Sequence, residues 1–265
     1  MATAAPTALP ILYSQLEPLN SQAHGNFKVR GIESLPALAQ IHAIPLTVDE
    51  FASAQRHYPI IFSVGDEPVP LALMALNEGL NTFVDKDGKP LDSTVYMPAY
   101  LRRYPFLLAR LSPDSDDLSL CFDPTANAIG DFEDGQALFD GDQPSDATKA
   151  ILEFCEQFEQ AGQRTQFFMA ELKKSGLLMD GEVAIQPEGS EQPFVYRGFQ
   201  MVDEEKFREA RGDELRKMNQ NGMLPLLYAH LFSLGQVRDL FSRQVQQGTG
   251  PVPAQVQPQA ASAQA

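Results

Sequence analysis

The sequence predicts an α+β fold, a mostly antiparallel sheet covered by two or three helices, followed by a disordered C-terminal tail. Three observations carry that expectation. The first half alternates short β-branched and aromatic runs with turns rich in Gly, Asp and Pro, the pattern of hairpins. The second half changes period, with apolar residues recurring every three or four positions between about 145 and 175. From Gln244 onward the chain carries no charge and is rich in Pro, Gln and Ala, so it cannot bury enough surface to offset its ordering entropy. The expected organisation is a flexible segment at 1–21, one α+β body at 22–243 and a disordered tail at 244–265.

Taken in order, 27–30 and 42–47 read as short strands, and 49–57 as a helical turn entered through Val48 and Asp49. The run 58–64, ending in Gly65-Asp66-Glu67 and returning through 70–74, reads as a hairpin. A strand at 80–84 then meets Asp85-Lys86-Asp87-Gly88, where aspartates favour local bonds to the backbone and glycine supplies positive φ. Strands at 107–111 and 118–122 complete the first half. Ser145 and Asp146 are candidate N-caps of a long helix whose stripe includes Ile151, Cys155, Phe158, Phe168 and Leu172, with a stop at Gly176. Strands follow at 183–186 and 194–199 around a turn at 188–190. Asp203-Glu204-Glu205 puts negative charge at a helix start, where the helix dipole favours it. A last helix starts near Leu224-Pro225 and carries Leu227, Leu231, Leu234 and Phe241 as its apolar stripe.

Composition excludes several functions. The net charge is −15, with 20 Lys plus Arg against 35 Asp plus Glu, and a field of that sign repels polyanions, so nucleic acid is not an expected partner. Cys121 and Cys155 have apolar neighbours and no ligand spacing, and read as buried thiols. The four histidines are scattered without metal-site spacing, so neither metal nor cofactor is expected. No nucleophile elbow, P-loop or dinucleotide fingerprint occurs, which leaves catalysis without support. No apolar run reaches the length of a membrane span, the N-terminus does not resemble a signal peptide, and the expected location is cytoplasmic.

The densest constellation is Tyr96-Met97-Pro98-Ala99-Tyr100-Leu101-Arg102-Arg103-Tyr104-Pro105-Phe106. As a short helix entered at Pro98 and stopped by Pro105, it places Tyr96, Tyr100, Arg103 and Tyr104 on one face. A guanidinium rimmed by phenols can grip a carboxylate or phosphate, so Tyr96, Tyr100, Arg102, Arg103 and Tyr104 are the candidate ligand-binding residues. The competing reading has the rings covering the sheet and both arginines paired with the chain's many acids. Between Leu111 and Thr148 lie ten acidic residues and no basic one, which reads as a solvated loop or, alternatively, as oxygen ligands for a divalent cation. Tyr228 and Phe232 fall partly off the leucine stripe of the last helix, where a second subunit could cover them.

Several segments in order, Tyr58-Pro59-Ile60-Ile61-Phe62, Asn81-Thr82-Phe83-Val84-Asp85-Lys86-Asp87-Gly88, the run from Met97 to Phe106, Gly198-Phe199-Gln200-Met201-Val202-Asp203-Glu204 and the helix from Leu224 to Leu234, resemble the bacterial SapC-like family. The likeness covers about 27–241. In the family pattern a tryptophan often follows the turn glycine, whereas Gly88 is followed here by Lys89 and Pro90, and the chain has no Trp. The family takes its name from secretion of surface-layer protein, and members also occur beside TonB-dependent outer-membrane receptors and oxygenase- or halogenase-like proteins. The resemblance therefore implies a non-catalytic accessory or binding protein of envelope transport, recognising a peptide, a protein of the secretion system or an anionic ligand. It transfers no catalytic residue. Two other readings stand beside it: an enzyme acting on a peptide or saccharide with Asp85 or Asp123 as acid or base beside Arg102 and Arg103, and a structural homo-oligomer subunit.

Overall fold

The structure is a computed structural model that describes residues 9–111, 117–186 and 193–250. Strands β1 (Ala43–Pro45), β2 (Ile60–Phe62), β3 (Pro70–Leu73), β4 (Phe106–Arg110), β5 (Leu118–Phe122), β6 (Leu178–Ile185) and β7 (Phe194–Val202) build two antiparallel sheets. The larger has the order β6-β7-β2-β3-β1, and the smaller lays Glu17–Pro18 beside β5 and then β4. The principal helices are α1 (Ala99–Arg103), α2 (Asp146–Ser175), α3 (Gly212–Gln220), α4 (Met223–Ser233) and α5 (Gln236–Gln246). The α+β class expected from the two hydrophobic periods is the class observed.

Helix α2 joins the two sheets. Its 30 residues start where the Ser145 hydroxyl accepts the Thr148 N–H and end where Gly176 turns left-handed at φ 66°. At about 1.5 Å per residue it reaches both sheets. Its first half sets Cys155 and Ile151 against Phe106, Phe122 and Leu138 of the smaller core. Its second half sets Phe168, Met169 and Leu172 against the larger core, among Phe51, Phe62 and Phe199. Each such fully buried side chain stabilises the fold by roughly 1.5–3 kcal/mol. Both cysteines are buried thiols, and burial pushes Cys155 up to about 11.

The larger sheet has a seam. Strand β7 meets β2 through one Cα pair, Gln200 with Phe62. Beyond that pair, α4 supplies the missing partners from its side chains. The Ile60 N–H donates to Ser233 Oγ at 2.8 Å, His230 Nδ1 donates to the Ile60 carbonyl at 2.8 Å, and the Val202 N–H donates to His230 Nε2 at 3.1 Å. A carbonyl on one ring nitrogen and an N–H on the other require the neutral imidazole with its proton on Nδ1. His230 is fully buried and lies 4.7 Å from the Phe62 ring, and this burial pushes its pKa down to about 4.

Several expected elements differ in the structure. Residues 80–84 form an irregular loop rather than a strand. The Asn81 amide donates to the Leu38 carbonyl and its oxygen takes the Phe83 N–H, while the Thr82 hydroxyl donates to the Met74 carbonyl, so side chains replace a strand ladder. The last helix is two helices, α4 and α5, separated at Leu234 and Gly235. The chain at 9–21 is not loose: Tyr13 is buried with its hydroxyl on the Phe106 carbonyl, and the Ser14 N–H donates to Asp123. The folded body also runs past Arg243, because Gln244 is fully buried and accepts the Leu76 N–H at 2.6 Å. The expected turn at 188–190, the start of the N-terminal segment at 1–8 and the tail at 251–265 lie outside the described residues.

Candidate functional site

The site is built on a carboxylate that the sequence disguises as an ordinary helix-start acid. Glu50 closes a capping box with Thr47, taking the Thr47 N–H at 2.9 Å and its hydroxyl at 2.8 Å on Oε2. Its other oxygen takes the Ala99 N–H at 2.6 Å and the Tyr96 hydroxyl at 3.0 Å. Ala99 is the first residue of α1, whose N-cap, Pro98, has no side chain able to cap it. Glu50 thus caps α1 from a distant segment and fixes the tyrosine in front of it. Burial, helped by this carboxylate, pushes the Tyr96 phenol up to about 12.

From this anchor the expected cluster divides. Tyr100, Arg103 and Tyr104 turn inward and are buried. The Arg103 guanidinium stands 4.2 Å from the Phe158 ring centre, 4.9 Å from Tyr100 and 5.9 Å from Tyr13, a box of π faces. It pairs with Glu159 at 3.4 Å, and its Nε has no hydrogen-bond partner among the described residues. Arg102 points outward, with Nη2 3.3 Å from the Tyr96 hydroxyl and its guanidinium between the Tyr96 and Phe154 rings at 5.7 and 5.2 Å. Among the described residues it has no carboxylate partner. The five candidate residues therefore make an outward pair, the half-buried Tyr96 with the exposed Arg102, and a buried set of Tyr100, Arg103 and Tyr104.

Beside them lies an apolar cleft of about 110 Å³. Leu38, Tyr58, Met74 and Phe83 form its floor, Tyr96, Leu101 and Tyr104 one wall, and Leu35, Gly88 and Pro90 the other. The Tyr58 hydroxyl donates to the Tyr96 carbonyl at 2.7 Å and ties floor to wall. The Tyr104 hydroxyl makes no hydrogen bond among the described residues. The volume is near that of apolar cavities of about 150 Å³ that hold a benzene-sized molecule, so it suits one apolar side chain. A second hollow of about 820 Å³ runs between α2 and α4, over Phe51, Phe168 and Met223, with Phe167 exposed on its rim.

The other sequence candidates are structural. The Asp85 carboxylate takes the N–H groups of Asp87 and Lys89, both at 2.9 Å, and the Lys89 bond chiefly holds its pKa below the usual range. Asp123 is fully buried; burial opposes its ionisation, yet bonds from Ser14 and Thr125 outweigh that and hold its pKa low. Neither lines a cleft with Arg102 or Arg103. In the acidic stretch, Asp134 pairs with Arg30, which also lies 3.7 Å over the Phe132 ring. Among the described residues no three His, Cys, Asp or Glu side chains gather as a cation site.

Three of the segments that carried the sequence resemblance meet at this cleft: Tyr58 from the first, Asn81, Phe83, Val84 and Gly88 from the second, Met97, Pro98, Leu101 and Tyr104 from the third. A family model described as SapC matches residues 19–240. The chain belongs to the SapC family. No curated protein and no solved structure matches it. Among the described residues, no helix of this SapC protein is long and apolar enough to cross a membrane.

Sequence reasoning missed Glu50 and Arg243. The Arg243 guanidinium lies 4.5 Å over the face of Phe83, a floor residue of the cleft, and is half-buried without a carboxylate partner among the described residues. Only a contact between α5 and the 81–84 loop reveals it, and no local pattern encodes that contact.

Proposed function

We propose that this SapC protein is a non-catalytic accessory protein of bacterial envelope transport, in surface-layer protein secretion or outer-membrane nutrient uptake. It recognises a peptide or protein partner at the cleft beside Tyr96, Tyr100, Arg102, Arg103 and Tyr104. The observation that carries the binding reading is the convergence of three segments on one apolar hollow, flanked by a guanidinium that no carboxylate among the described residues neutralises. The transport setting is supported by the family resemblance. An acid–base enzyme built on Asp85 and Asp123 has no such support, since Asp85 takes N–H groups of its own loop and Asp123 those of Thr125 and Ser14.

Peptides cut from the products of neighbouring genes test the binding reading. The expected result is a raised melting temperature without turnover, as for any ligand that binds only the folded state. Arg102→Ala and Met97→Glu, both at exposed positions, should lose that rise while keeping the unliganded melting temperature. A panel that leaves the wild-type melting temperature unchanged would remove the reading.

A second reading, the homo-oligomer, is favoured by Tyr228 and Phe232, stacked at 5.7 Å on α4 with exposures of 44% and 69%. Light scattering decides it. Association that rises with concentration and disappears in Phe232→Ser supports a dimer through α4, and a concentration-independent monomer excludes it.

A further inference from the structure

We infer that the hollow between α2 and α4 is the seat for a second copy of this chain, with Phe232 of each copy entering the hollow of the other about a two-fold axis. This rests on the homo-oligomer reading above and specifies its contact.

One face carries both halves of such a contact. The hollow, of about 820 Å³, is lined by the buried Phe51 and Phe168, by Phe167 of α2 and by Pro225 and Ala229 of α4. Phe232 lies seven residues after Pro225 and three after Ala229, so it projects from the same side of α4. Its ring, 69% exposed, stacks on Tyr228, which in turn meets the buried Phe207 at 5.5 Å, so the projection is held in place before any partner arrives. A cavity of about 150 Å³ already holds benzene, and the hollow is several times larger, so one ring enters without rearrangement. A two-fold contact requires one patch to present both a projection and a recess, and this patch does.

Charge selects the occupant. The chain carries −15, yet α4 has no Asp, Glu, Lys or Arg, and the charged residues that line the hollow are Asp49, Arg164 and Glu171. Arg164 holds Asp49 through two bonds, at 3.1 and 2.6 Å, and Glu171 lies 3.4 Å from Lys217 and 3.7 Å from Lys174. Each charge on the rim is therefore offset within its own copy. A basic partner gains nothing from such a surface and is drawn to the acidic remainder, whereas two acidic copies repel each other least when they meet here.

The area is sufficient. With roughly 200 Å² for a whole aromatic side chain, Phe167, Tyr228 and Phe232 at 61%, 44% and 69% exposure offer about 350 Å². The seven other exposed residues that line the hollow, at the interface average of about 35 Å² each, bring the face to about 600 Å². That is one copy's share at the lower bound of a stable interface, so a dissociation constant in the micromolar range is expected.

The test is sedimentation of the full chain over a range of concentrations, with one variant that removes the projection and one that fills the recess. Phe232→Ser and Ala52→Trp, the latter at an exposed residue lining the hollow, should each weaken the dimer at least about 10-fold. An equal mixture of the two keeps one of the two seats, the intact Phe232 of one variant entering the open hollow of the other. The mixed dimer should therefore be about 5-fold or more tighter than either variant alone. Gln163→Glu adds an unpaired charge to the neutral rim of each copy, so it should weaken association at low salt and regain wild-type association at about 0.5 M salt.

A dimer lost in Phe232→Ser but unchanged in Ala52→Trp leaves the α4 dimer standing and overturns the seat in the hollow. A mixture no tighter than its components overturns the reciprocal contact, since two Phe232 rings meeting each other on the axis would give that result. A Gln163→Glu dimer as tight as the wild type at low salt places the hollow outside the contact and overturns the inference. If the wild type stays a monomer at every concentration, both the inference and the homo-oligomer reading fall.

Discussion

The cleft and the sheet seam each depend on a buried polar side chain that bridges two segments, yet they respond to opposite changes. At the cleft Glu50 brings only acceptors and collects donors from two segments, Thr47 on its own turn and Tyr96 and Ala99 from the segment that carries the candidate site. At the seam His230 brings one donor and one acceptor, and bridges Ile60 to Val202 where the strands cease to pair. The cleft is made of loops and one five-residue helix, so its shape depends on that carboxylate. The seam lies between strands backed by α4 and the large core, so His230 adds to a region already held by packing. A loop-built site concentrates its order in a few bonds, whereas a layered core spreads it.

Removing Glu50 should break this comparison most strongly. Glu50→Ala leaves the Thr47 and Ala99 N–H groups buried without acceptors and frees the Tyr96 hydroxyl. Each buried orphan donor costs about 1–3 kcal/mol, so the variant should lose about 4 kcal/mol in urea denaturation. Glu50→Gln keeps the shape but turns one acceptor into a donor facing N–H groups, and about half that loss is expected. Cleft binding should fall in both variants. A loss below about 1 kcal/mol in Glu50→Ala would show that the loops are held by packing after all.

Acid should act at the seam. The His230 pKa lies near 4 in the folded state against an ordinary value of 6.5. Between those values the unfolded chain binds a proton that the native state refuses, so stability falls as pH drops through that window and is flat with respect to this group above it. The contribution is at most about 3 kcal/mol. No charged side chain takes part in the depression, which follows from desolvation. The nearest acid on β7's exit, Asp203, is occupied by the Lys206 N–H at 3.0 Å. Denaturation midpoints measured from pH 7 to 4.5 should decline more steeply in the wild type than in His230→Asn, although that variant starts less stable. Parallel declines would remove the buried imidazole as the cause.

Much of the layered region was legible in the residues because its signals are local and periodic. The hairpin from Ile60 to Leu73 followed from a β-branched and aromatic run ending in a glycine turn with an apolar return, and α2 showed both of its caps, Ser145 and Gly176. The seam was not legible, because nothing around His230 in sequence says that a helix side chain will complete a strand's hydrogen bonds. At the cleft, the short helix at 99–103 and the turn at 85–88 were readable, and the ring-rich segment was singled out as a candidate. A helical wheel drawn for one short helix could not tell that Phe158 and Tyr13 would enclose Arg103 while Arg102 stayed outside. Those rings come from distant segments, and so do Glu50 and Arg243.

The smallest effect on stability, with the sharpest effect on the cleft, is expected at Gly88. It has φ 75°, and an added Cβ would collide with the backbone carbonyl of Leu35, on the same cleft wall. The close approach is fixed nearby by the Ser34 hydroxyl, which donates to the Asp87 carbonyl at 2.7 Å. Gly88→Ala therefore meets both the steric penalty of a left-handed residue, about 1–2 kcal/mol, and a backbone that must move. Lys86 and Asp87 at the tip of this loop are exposed, so the loop can shift outward and the loss in denaturation should stay near 2 kcal/mol. The shift opens the wall opposite Leu101, and the affinity of the cleft should fall about 10-fold or more. The seam supplies the control, because the pH dependence assigned to His230 should be the same in Gly88→Ala as in the wild type. If stability fell and affinity did not, the wall at Gly88 would be dispensable, and the cleft would be defined by Tyr58, Phe83 and Leu101 alone.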